Sequence, residues 1–270
     1  MADTTERTRM DLGTQDLIFE REGAVAWLTF NRPQARNAMT WKMYEGLQAA
    51  CERVDADDAI GVFVLQGAGE KAFVAGTDIS QFQAFRTADD ALNYERNVNR
   101  NANRLEAVQK PTIAMIRGYC AGSGAAIAMV CDLRVASRDA KFGVPIARTL
   151  GNTLSAQNLA RLVALVGPAR AKDILFTARF IEAEEGKAIG LFSEVTEADD
   201  LESRTRQLAT LITGHAPLTV RAIKEGVRRL LGHDRTEEAA DLYLLCYLSE
   251  DFKEGVSAFL EKRPPRWKGR

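Results

Sequence analysis

The sequence predicts an α/β fold followed by an all-helical C-terminal region, and three observations support this prediction. Residues 113–132 begin as a short apolar run, cross a turn of small residues at Gly118, and resume as residues 124–130, which are apolar on all sides. This order is typical of a buried strand, a tight turn and a buried helix. Strand-like and helix-like segments alternate up to about residue 198, and from Asp199 onward the patterns are helical.

Turn and capping residues set the predicted bounds of the elements. The Glu22-Gly23 pair separates two strands, and Thr40 is a suitable N-cap for the first helix. Pro168 fits the first turn of a helix. The predicted strands are residues 17–21, 24–30, 60–65, 113–116, 133–136 and 194–196. The predicted helices are residues 41–54, 88–109, 124–130, 155–166, 168–176 and 182–188.

The C-terminal region is predicted to contain helices at residues 199–213, 218–231, 236–248 and 252–262. Helices with so little apolar core of their own need a surface to pack against. We expect neighbouring subunits to supply part of that surface. The expected organisation is a loosely held tail at residues 1–15, a core at residues 16–198 and a helical region at residues 199–270.

The composition argues against several classes of function. The chain has 270 residues with a net charge of −1, so it offers no basic field for nucleic acid or membrane lipid. No apolar run reaches the roughly 18 residues of a membrane span. The four cysteines are Cys51, Cys120, Cys131 and Cys246. They include no CxxC pair, which predicts reduced thiols in a cytoplasmic protein. No metal-ligand cluster surrounds His215 or His233, so we expect no metal site.

Two segments share a pattern of an apolar run, then small residues, then a polar residue. They are residues 73–78 (Phe-Val-Ala-Gly-Thr-Asp) and 120–124 (Cys-Ala-Gly-Ser-Gly). If their backbones face each other, the N–H groups of Thr77 and Ser123 form a pair of donors for an anionic oxygen. A phosphate, a carboxylate or a reaction oxyanion would suit such a site. Glycine-rich turns are also ordinary features of α/β domains, so spacing alone leaves both interpretations open.

Several short motifs, spread over most of the chain, occur in a characteristic order. They are residues 31–38 (NRPQARNA), 71–79 (KAFVAGTDI), 118–124 (GYCAGSG), 131–132 (Cys-Asp) and 259–263 (FLEKR). Their order and spacing over roughly residues 15–268 resemble those of the enoyl-CoA hydratase/isomerase (crotonase) family.

The resemblance implies a crotonase-like spiral core of repeated strand–strand–helix turns, a helical trimerisation region, and a homotrimer or dimer of trimers. It implies a coenzyme A thioester as the ligand, with no separate cofactor, and an oxyanion hole at the N–H groups of Thr77 and Ser123. The residues implied to contact the adenine and pantetheine parts are Ala35, Arg36, Ala75, Asp78 and Ile79. Phe259 and Lys262 are implied to reach a coenzyme A bound at the neighbouring subunit. Arg36 and Lys262 suit phosphate groups, although each cation alone also fits a solvated surface charge.

Two positions depart from the family's hydratases, which carry two glutamates as acid and base. One glutamate aligns with Ala126 in the buried helix, and the other aligns with Ile146, just after Pro145. Neither residue titrates. Positioned acid–base groups typically contribute about 10²- to 10⁴-fold each to the rate, so efficient hydration by the family's usual route is not expected.

Other polar residues are candidates for the missing groups. Arg148, Asn152 and Thr153 follow Ile146 in a segment that departs from the family's pattern. They fit either a polar pocket wall or helix capping and loop hydrogen bonds. The candidate proton carriers are Asp78, Asp132, Tyr94 and Glu95. In the family, residues at the positions of Asp78 and Asp132 usually have a structural role or hold the loop.

The sequence therefore predicts an acyl-CoA enzyme that stabilises an enolate or a tetrahedral species. The resemblance implies an enoyl-CoA hydratase or isomerase, and the missing glutamates leave decarboxylation and thioester hydrolysis equally open. The alternative from another class is a catalytically weak acyl-CoA-binding protein. A nucleotide-binding Rossmann fold is disfavoured, because the first strand–helix unit lacks a GxGxxG turn.

Overall fold

Two β-sheets form the centre of the protein. The structure, a computed structural model, describes residues 8–231, 244 and 247–266. The strands in this part of the chain are β1 (Thr8–Met10), β2 (Leu17–Glu22), β3 (Val25–Phe30), β4 (Val62–Gly67), β5 (Ala72–Val74), β6 (Thr112–Ile116), β7 (Tyr119–Ala121), β8 (Leu133–Ser137), β9 (Lys141–Gly143), β10 (Phe180–Glu182) and β11 (Glu194–Thr196). The larger sheet has the order β1-β2-β3-β4-β6-β8-β11, and the smaller has the order β10-β9-β7-β5.

Helices follow the strands in a repeating order. Within the described residues they are α1 (Trp41–Ala56), α2 (Ala88–Glu106), α3 (Ser123–Val130), α4 (Ile146–Thr149), α5 (Ala156–Val166), α6 (Pro168–Thr177), α7 (Ala183–Ala188), α8 (Leu201–Thr213), α9 (Pro217–Leu231) and α10 (Glu250–Leu260). The runs β4-β5-α2, β6-β7-α3 and β8-β9-α4 each place the first strand in the larger sheet and the second in the smaller. This repeat confirms the predicted strand–strand–helix core.

The centre of the larger sheet is buried on both faces. On β4, Phe63 and Leu65 belong to the main core, whereas Val62 and Val64 lie in a second cluster that packs against Leu201 of α8. A parallel strand covered on both sides has no polar face. This explains why β4 appears in the sequence as an uninterrupted apolar run. It also shows that the first helix of the C-terminal region packs on the core of its own chain.

The N-terminal segment differs from the expectation of a loosely held tail. Residues 8–10 form β1, which pairs antiparallel with β2, so the polar stretch extends the edge of the larger sheet. Arg53 of α1 donates a hydrogen bond to the Asp11 carbonyl at 2.9 Å, which holds the segment after β1. This strand has no signal in the sequence, because an exposed edge strand needs no apolar pattern.

Several elements were predicted closely, and others were not. Thr40 caps α1 by accepting a hydrogen bond from the Met43 N–H, as expected. Residues 141–143 form β9 and residues 146–149 form α4, and neither element was predicted. The predicted helix at residues 236–248 lies almost entirely outside the described residues.

The three cysteines in the described part of the chain lie in the interior of the protein. Cys51, Cys120 and Cys131 are buried free thiols, and burial raises the pKa of the Cys51 thiol to about 12. Cys246 and His233 lie outside the described residues.

Across the described ranges, no helix combines the length and the apolar character needed to cross a membrane.

Candidate active site

Two backbone bends meet at one edge of the smaller sheet. β5 and β7 are adjacent parallel strands, so the segments that follow them leave the sheet at the same edge. A Cβ atom at Gly122 would lie 3.4 Å from the Cα atom of Gly76. A Cβ atom at Gly124 would lie only 2.0 Å from the Val74 carbonyl oxygen. Because a side chain at Gly124 would collide with backbone, the close approach of the two bends requires glycine there.

The N–H group of Thr77 points away from the chain segment beside it. Met39 and Thr77 form a parallel bridge. The Met39 N–H donates to the Gly76 carbonyl at 2.8 Å, and the Asp78 N–H donates to the Met39 carbonyl at 2.9 Å. Successive N–H groups of an extended segment alternate in direction. The N–H of Thr77, between these two bonds, therefore faces the side opposite Met39.

The N–H group of Ser123 lies at the start of a buried helix. Ser123 is the first residue of α3, and its N-cap is Gly122, which has no capping side chain. The first N–H groups of a helix have no intrahelical acceptor and carry a partial positive charge. All eight residues of α3 are buried, so these N–H groups lie where electrostatic interactions are stronger than in water.

Thr77 and Ser123 line one cavity of about 400 Å³, a size typical of small-molecule sites. The five residues that the resemblance implied for adenine and pantetheine also line it; they are Ala35, Arg36, Ala75, Asp78 and Ile79. Phe259 lines the cavity of its own chain and is 51% exposed, whereas it was expected at a neighbour's ligand. Lys262 is exposed and is not among the lining residues.

A buried asparagine holds the loop that carries Arg36. The Asn37 side chain accepts a hydrogen bond from the Arg32 N–H and donates to the Ala68 and Ala72 carbonyls. The Arg36 carbonyl accepts from the Ala75 N–H at 3.0 Å. These bonds attach the loop to the bend after β5, which explains why the NRPQARNA motif and the Thr77 segment contribute to one cavity.

Four of the described lining residues are titratable: Arg36, Asp78, Tyr94 and Glu95. The Asp78 carboxylate accepts hydrogen bonds from Ser80 and from the Arg32 guanidinium at 3.2 Å. Burial of the carboxyl raises its pKa, but the hydrogen bonds from Ser80 and Arg32 and the charge of Arg32 outweigh that effect. The pKa of Asp78 therefore lies below its usual value. Asp78 therefore stays ionised and caps the short 3-10 helix that follows it.

Glu95 is the buried carboxyl of the cavity. It is 5% exposed, and its Oε1 accepts a hydrogen bond from the Tyr247 hydroxyl at 2.6 Å. Asn152 Nδ2 in turn donates to the Tyr247 oxygen at 3.1 Å. Burial raises the pKa of Glu95 to about 7, and the hydrogen bond from Tyr247 partly opposes that rise. The carboxyl therefore holds a proton to a higher pH than an exposed glutamate does.

A chain of three hydroxyl groups fixes the Thr77 side chain. Thr77 Oγ1 lies 2.9 Å from the Tyr44 hydroxyl and 3.0 Å from the Tyr94 hydroxyl. Burial raises the pKa of both tyrosines, so both stay neutral. These contacts hold the bend after β5 between α1 and α2.

The remaining sequence candidates lie in different places. Four of them line the cavity: Ala126, Ile146, Asn152 and Thr153. The two positions where the family's hydratases carry glutamate, Ala126 and Ile146, therefore face the candidate site. Arg148 is exposed and is not among the lining residues. The Asp132 carboxylate accepts hydrogen bonds from Thr112 and Lys224. These contacts connect the start of β6 with α9, and Asp132 does not line the cavity.

A family model described as enoyl-CoA hydratase/isomerase matches residues 20–270. The chain belongs to the enoyl-CoA hydratase/isomerase family. It is 36% identical over 251 residues to the short-chain-enoyl-CoA hydratase of Clostridium acetobutylicum, covering 92% of this chain and 95% of that protein.

Two solved structures are similar to this chain in fold. An enoyl-CoA hydratase/carnithine racemase from Magnetospirillum magneticum is 34% identical with a TM-score of 0.78, covering 98% of this chain and 97% of that one. A methylmalonyl-CoA decarboxylase in complex with 2-nitronate-propionyl-CoA is 28% identical with a TM-score of 0.87, covering 96% and 100%. The crotonase-like fold predicted from the motifs is confirmed.

Two residues near the cavity were missed by the sequence analysis. Tyr44 occupies the apolar face of α1, where an aromatic residue ordinarily indicates core packing. Tyr247 lies 152 residues from Glu95, its hydrogen-bond partner, and no local pattern indicates that contact. Neither residue carried a signal that distinguishes it from other buried tyrosines.

Proposed function

We propose that this protein is an acyl-CoA thioester enzyme that stabilises negative charge on the thioester carbonyl oxygen. The observation that supports the proposal is the close approach of the Gly76 and Gly122 bends, beside which Thr77 and Ser123 line one cavity. A thioester enolate concentrates charge on one oxygen. Two fixed N–H dipoles stabilise that charge without reorganising during the reaction.

The position of the other lining residues supports a coenzyme A ligand. Ala35, Ala75 and Ile79 are apolar or small and suit the adenine and pantetheine parts. Arg36 carries its guanidinium 5.5 Å from the centre of the Tyr119 ring and supplies a cation for a phosphate group. Lys262 is exposed just after α10 and does not line the cavity of its own chain. It could therefore contact phosphate groups only at the outer edge of a cavity.

Enoyl-CoA hydration or isomerisation is the activity we propose first, since the chain shares 36% identity with a short-chain-enoyl-CoA hydratase. Decarboxylation is the second candidate, and the similarity to a methylmalonyl-CoA decarboxylase favours it. Loss of carbon dioxide leaves an enolate without removal of a proton by a base. That chemistry needs no carboxyl group at Ala126 or Ile146. A thioester hydrolase and a catalytically weak acyl-CoA-binding protein are the remaining alternatives.

A thioester panel tests the proposal. Crotonyl-CoA, 3-butenoyl-CoA and methylmalonyl-CoA would each be titrated onto the protein by calorimetry and then followed for turnover by enoyl-thioester absorbance and mass spectrometry. We expect all three to bind competitively with free coenzyme A and at least one to turn over. Binding of all three without turnover would favour the acyl-CoA-binding protein. The absence of binding to any of them would contradict the proposal.

We also propose a homotrimer or a dimer of trimers. The helix α9 leaves large apolar side chains on the surface of the single chain; they include Leu218, Ile223, Val227 and Leu230. At about 100° per residue, Ile223, Val227 and Leu230 lie on one face of the helix, and an exposed apolar face is typical of a surface that a partner covers. Sedimentation equilibrium should give three or six times the protomer mass of 29.8 kDa. A monomer over the micromolar range would contradict this assembly.

A further inference from the structure

The described lining residues offer few groups that can exchange a proton near neutral pH. Arg36 carries a guanidinium, which donates hydrogen bonds and accepts none. Asp78 is held ionised by Arg32 and Ser80. The Tyr94 hydroxyl lies 3.0 Å from Thr77 Oγ1, and burial raises its pKa well above its usual value. The remaining titratable lining residue in the described part of the chain is Glu95.

The surroundings of Glu95 fix its position in the cavity. It projects from α2, which packs against α1 and α3, and one of its carboxyl oxygens is held by Tyr247 at 2.6 Å. The Tyr247 ring packs edge-on against Phe252 of α10, with ring centres 4.7 Å apart. Glu95 lines the same cavity as Thr77 and Ser123. The Glu95 carboxyl group is therefore held in place by Tyr247, at the cavity that Thr77 and Ser123 also line.

We propose that Glu95 is the catalytic residue that exchanges a proton with the carbon next to the thioester carbonyl, and that Tyr247 is its positioning residue. This inference rests on the proposed function, because it needs an acyl-CoA bound with its carbonyl oxygen at Thr77 and Ser123. It assigns to α2 the acid–base role that the apolar side chains of Ala126 and Ile146 cannot perform.

The proton affinity of Glu95 suits this role. Burial raises the pKa of its carboxyl to about 7, and a general base is most effective when its pKa is near the operating pH. The titratable groups that interact with it are Tyr44 of α1, Tyr94 of α2 and Tyr247. The helix α3 presents only small or apolar residues and Ser123. Both charge states of Glu95 are therefore available around neutral pH.

A single carboxyl group is sufficient for a 1,3-proton shift. With a 3-enoyl thioester, the Glu95 carboxylate removes a proton from C2, and the C–H electron pair moves into a dienolate with its charge on the thioester oxygen. The protonated carboxyl then returns a proton to C4, and the double bond moves from C3–C4 to C2–C3. The carboxylate is regenerated, so atoms and electrons balance without an added reactant.

The experiment uses 3-butenoyl-CoA in D₂O with the full-length protein. Loss of C2 protons and formation of crotonyl-CoA are followed by NMR, and binding is measured separately by calorimetry. We expect Glu95→Gln, a substitution of nearly equal shape, to keep binding within about threefold and to lower proton removal by roughly 10²- to 10⁴-fold. The control is Glu52→Gln on the exposed face of α1, for which we expect no change.

The pH profile separates a catalytic role from a structural one. The wild-type rate should rise with pH through a midpoint near 7, as the carboxyl loses its proton. Because the Tyr247 hydrogen bond lowers the pKa of Glu95, Tyr247→Phe should move that midpoint to higher pH. A structural defect alone would lower the rate without moving the midpoint.

The possible outcomes distinguish the two proposals. Proton removal by Glu95→Gln within threefold of the wild-type rate would overturn the role of Glu95 and leave the acyl-CoA function intact. Binding of 3-butenoyl-CoA by the wild type without loss of C2 protons would also overturn that role. Failure of the wild type to bind the thioester would instead contradict the proposed function itself.

Discussion

Ser123→Pro should lower kcat on any thioester substrate by roughly 10²- to 10³-fold, the cost of removing one oxyanion donor. Proline has no N–H, so the substitution deletes the donor at the start of α3. Proline is well tolerated at the first position of a helix, and Ser123 occupies that position. The expected loss is therefore in the rate of the chemical step rather than in folding. Steady-state kinetics with far-UV circular dichroism on the same sample measures both.

Ser123→Ala is the matched control for that substitution. It removes the hydroxyl but keeps the backbone N–H, so it should lose far less activity than the proline variant. If Ser123→Pro is folded and retains activity within threefold of the wild type, the Ser123 N–H is not an oxyanion donor. If both variants lose activity equally, the side chain rather than the backbone is responsible.

Glu95→Gln should stabilise the folded protein at alkaline pH. A carboxyl whose pKa is higher in the folded state binds protons more tightly there, so the free energy of unfolding falls as pH rises between the unfolded and folded pKa values. For Glu95 these are 4.5 and about 7. At about 1.4 kcal/mol per pKa unit, the loss approaches roughly 3 kcal/mol above pH 7. Glutamine does not titrate and avoids that loss.

Urea unfolding from pH 4.5 to 8 at fixed protein concentration measures this effect. The free energy of unfolding of Glu95→Gln, relative to the wild type, should rise across that range and level off above pH 7. Glu52→Gln on the exposed face of α1 is the control for the removal of one carboxylate. A constant difference for Glu95→Gln would mean that folding does not raise the pKa of the Glu95 carboxyl.

The parts of the fold predicted from sequence are those that a local pattern determines. The strand β4 was recognised because a parallel strand covered on both faces is apolar throughout. The helix α1 was recognised from the Thr40 cap and its apolar face. The strands β1 and β9, each of three residues, were missed because no local pattern marks them. Their existence depends on pairing with β2 and with β7 and β10.

The residues of the candidate site likewise differ in how far the sequence alone predicts them. The bends that carry Thr77 and Ser123 were found because the close approach of two backbones needs glycine and other small residues, which are visible in sequence. Glu95 was one of four candidate proton carriers, and nothing local separated it from Asp78. The difference lies in their surroundings, since Asp78 faces Arg32 and Glu95 faces Tyr247. Those contacts span 46 and 152 residues of chain and follow only from the tertiary fold.

A crystal structure with bound acetoacetyl-CoA, whose thioester enolises readily, tests the central claim most directly. We predict that the thioester carbonyl oxygen lies about 2.7–3.1 Å from the backbone nitrogens of both Thr77 and Ser123, the distance range of an oxyanion hole. A bound thioester whose carbonyl oxygen contacts neither nitrogen, or only one of them, would contradict the account.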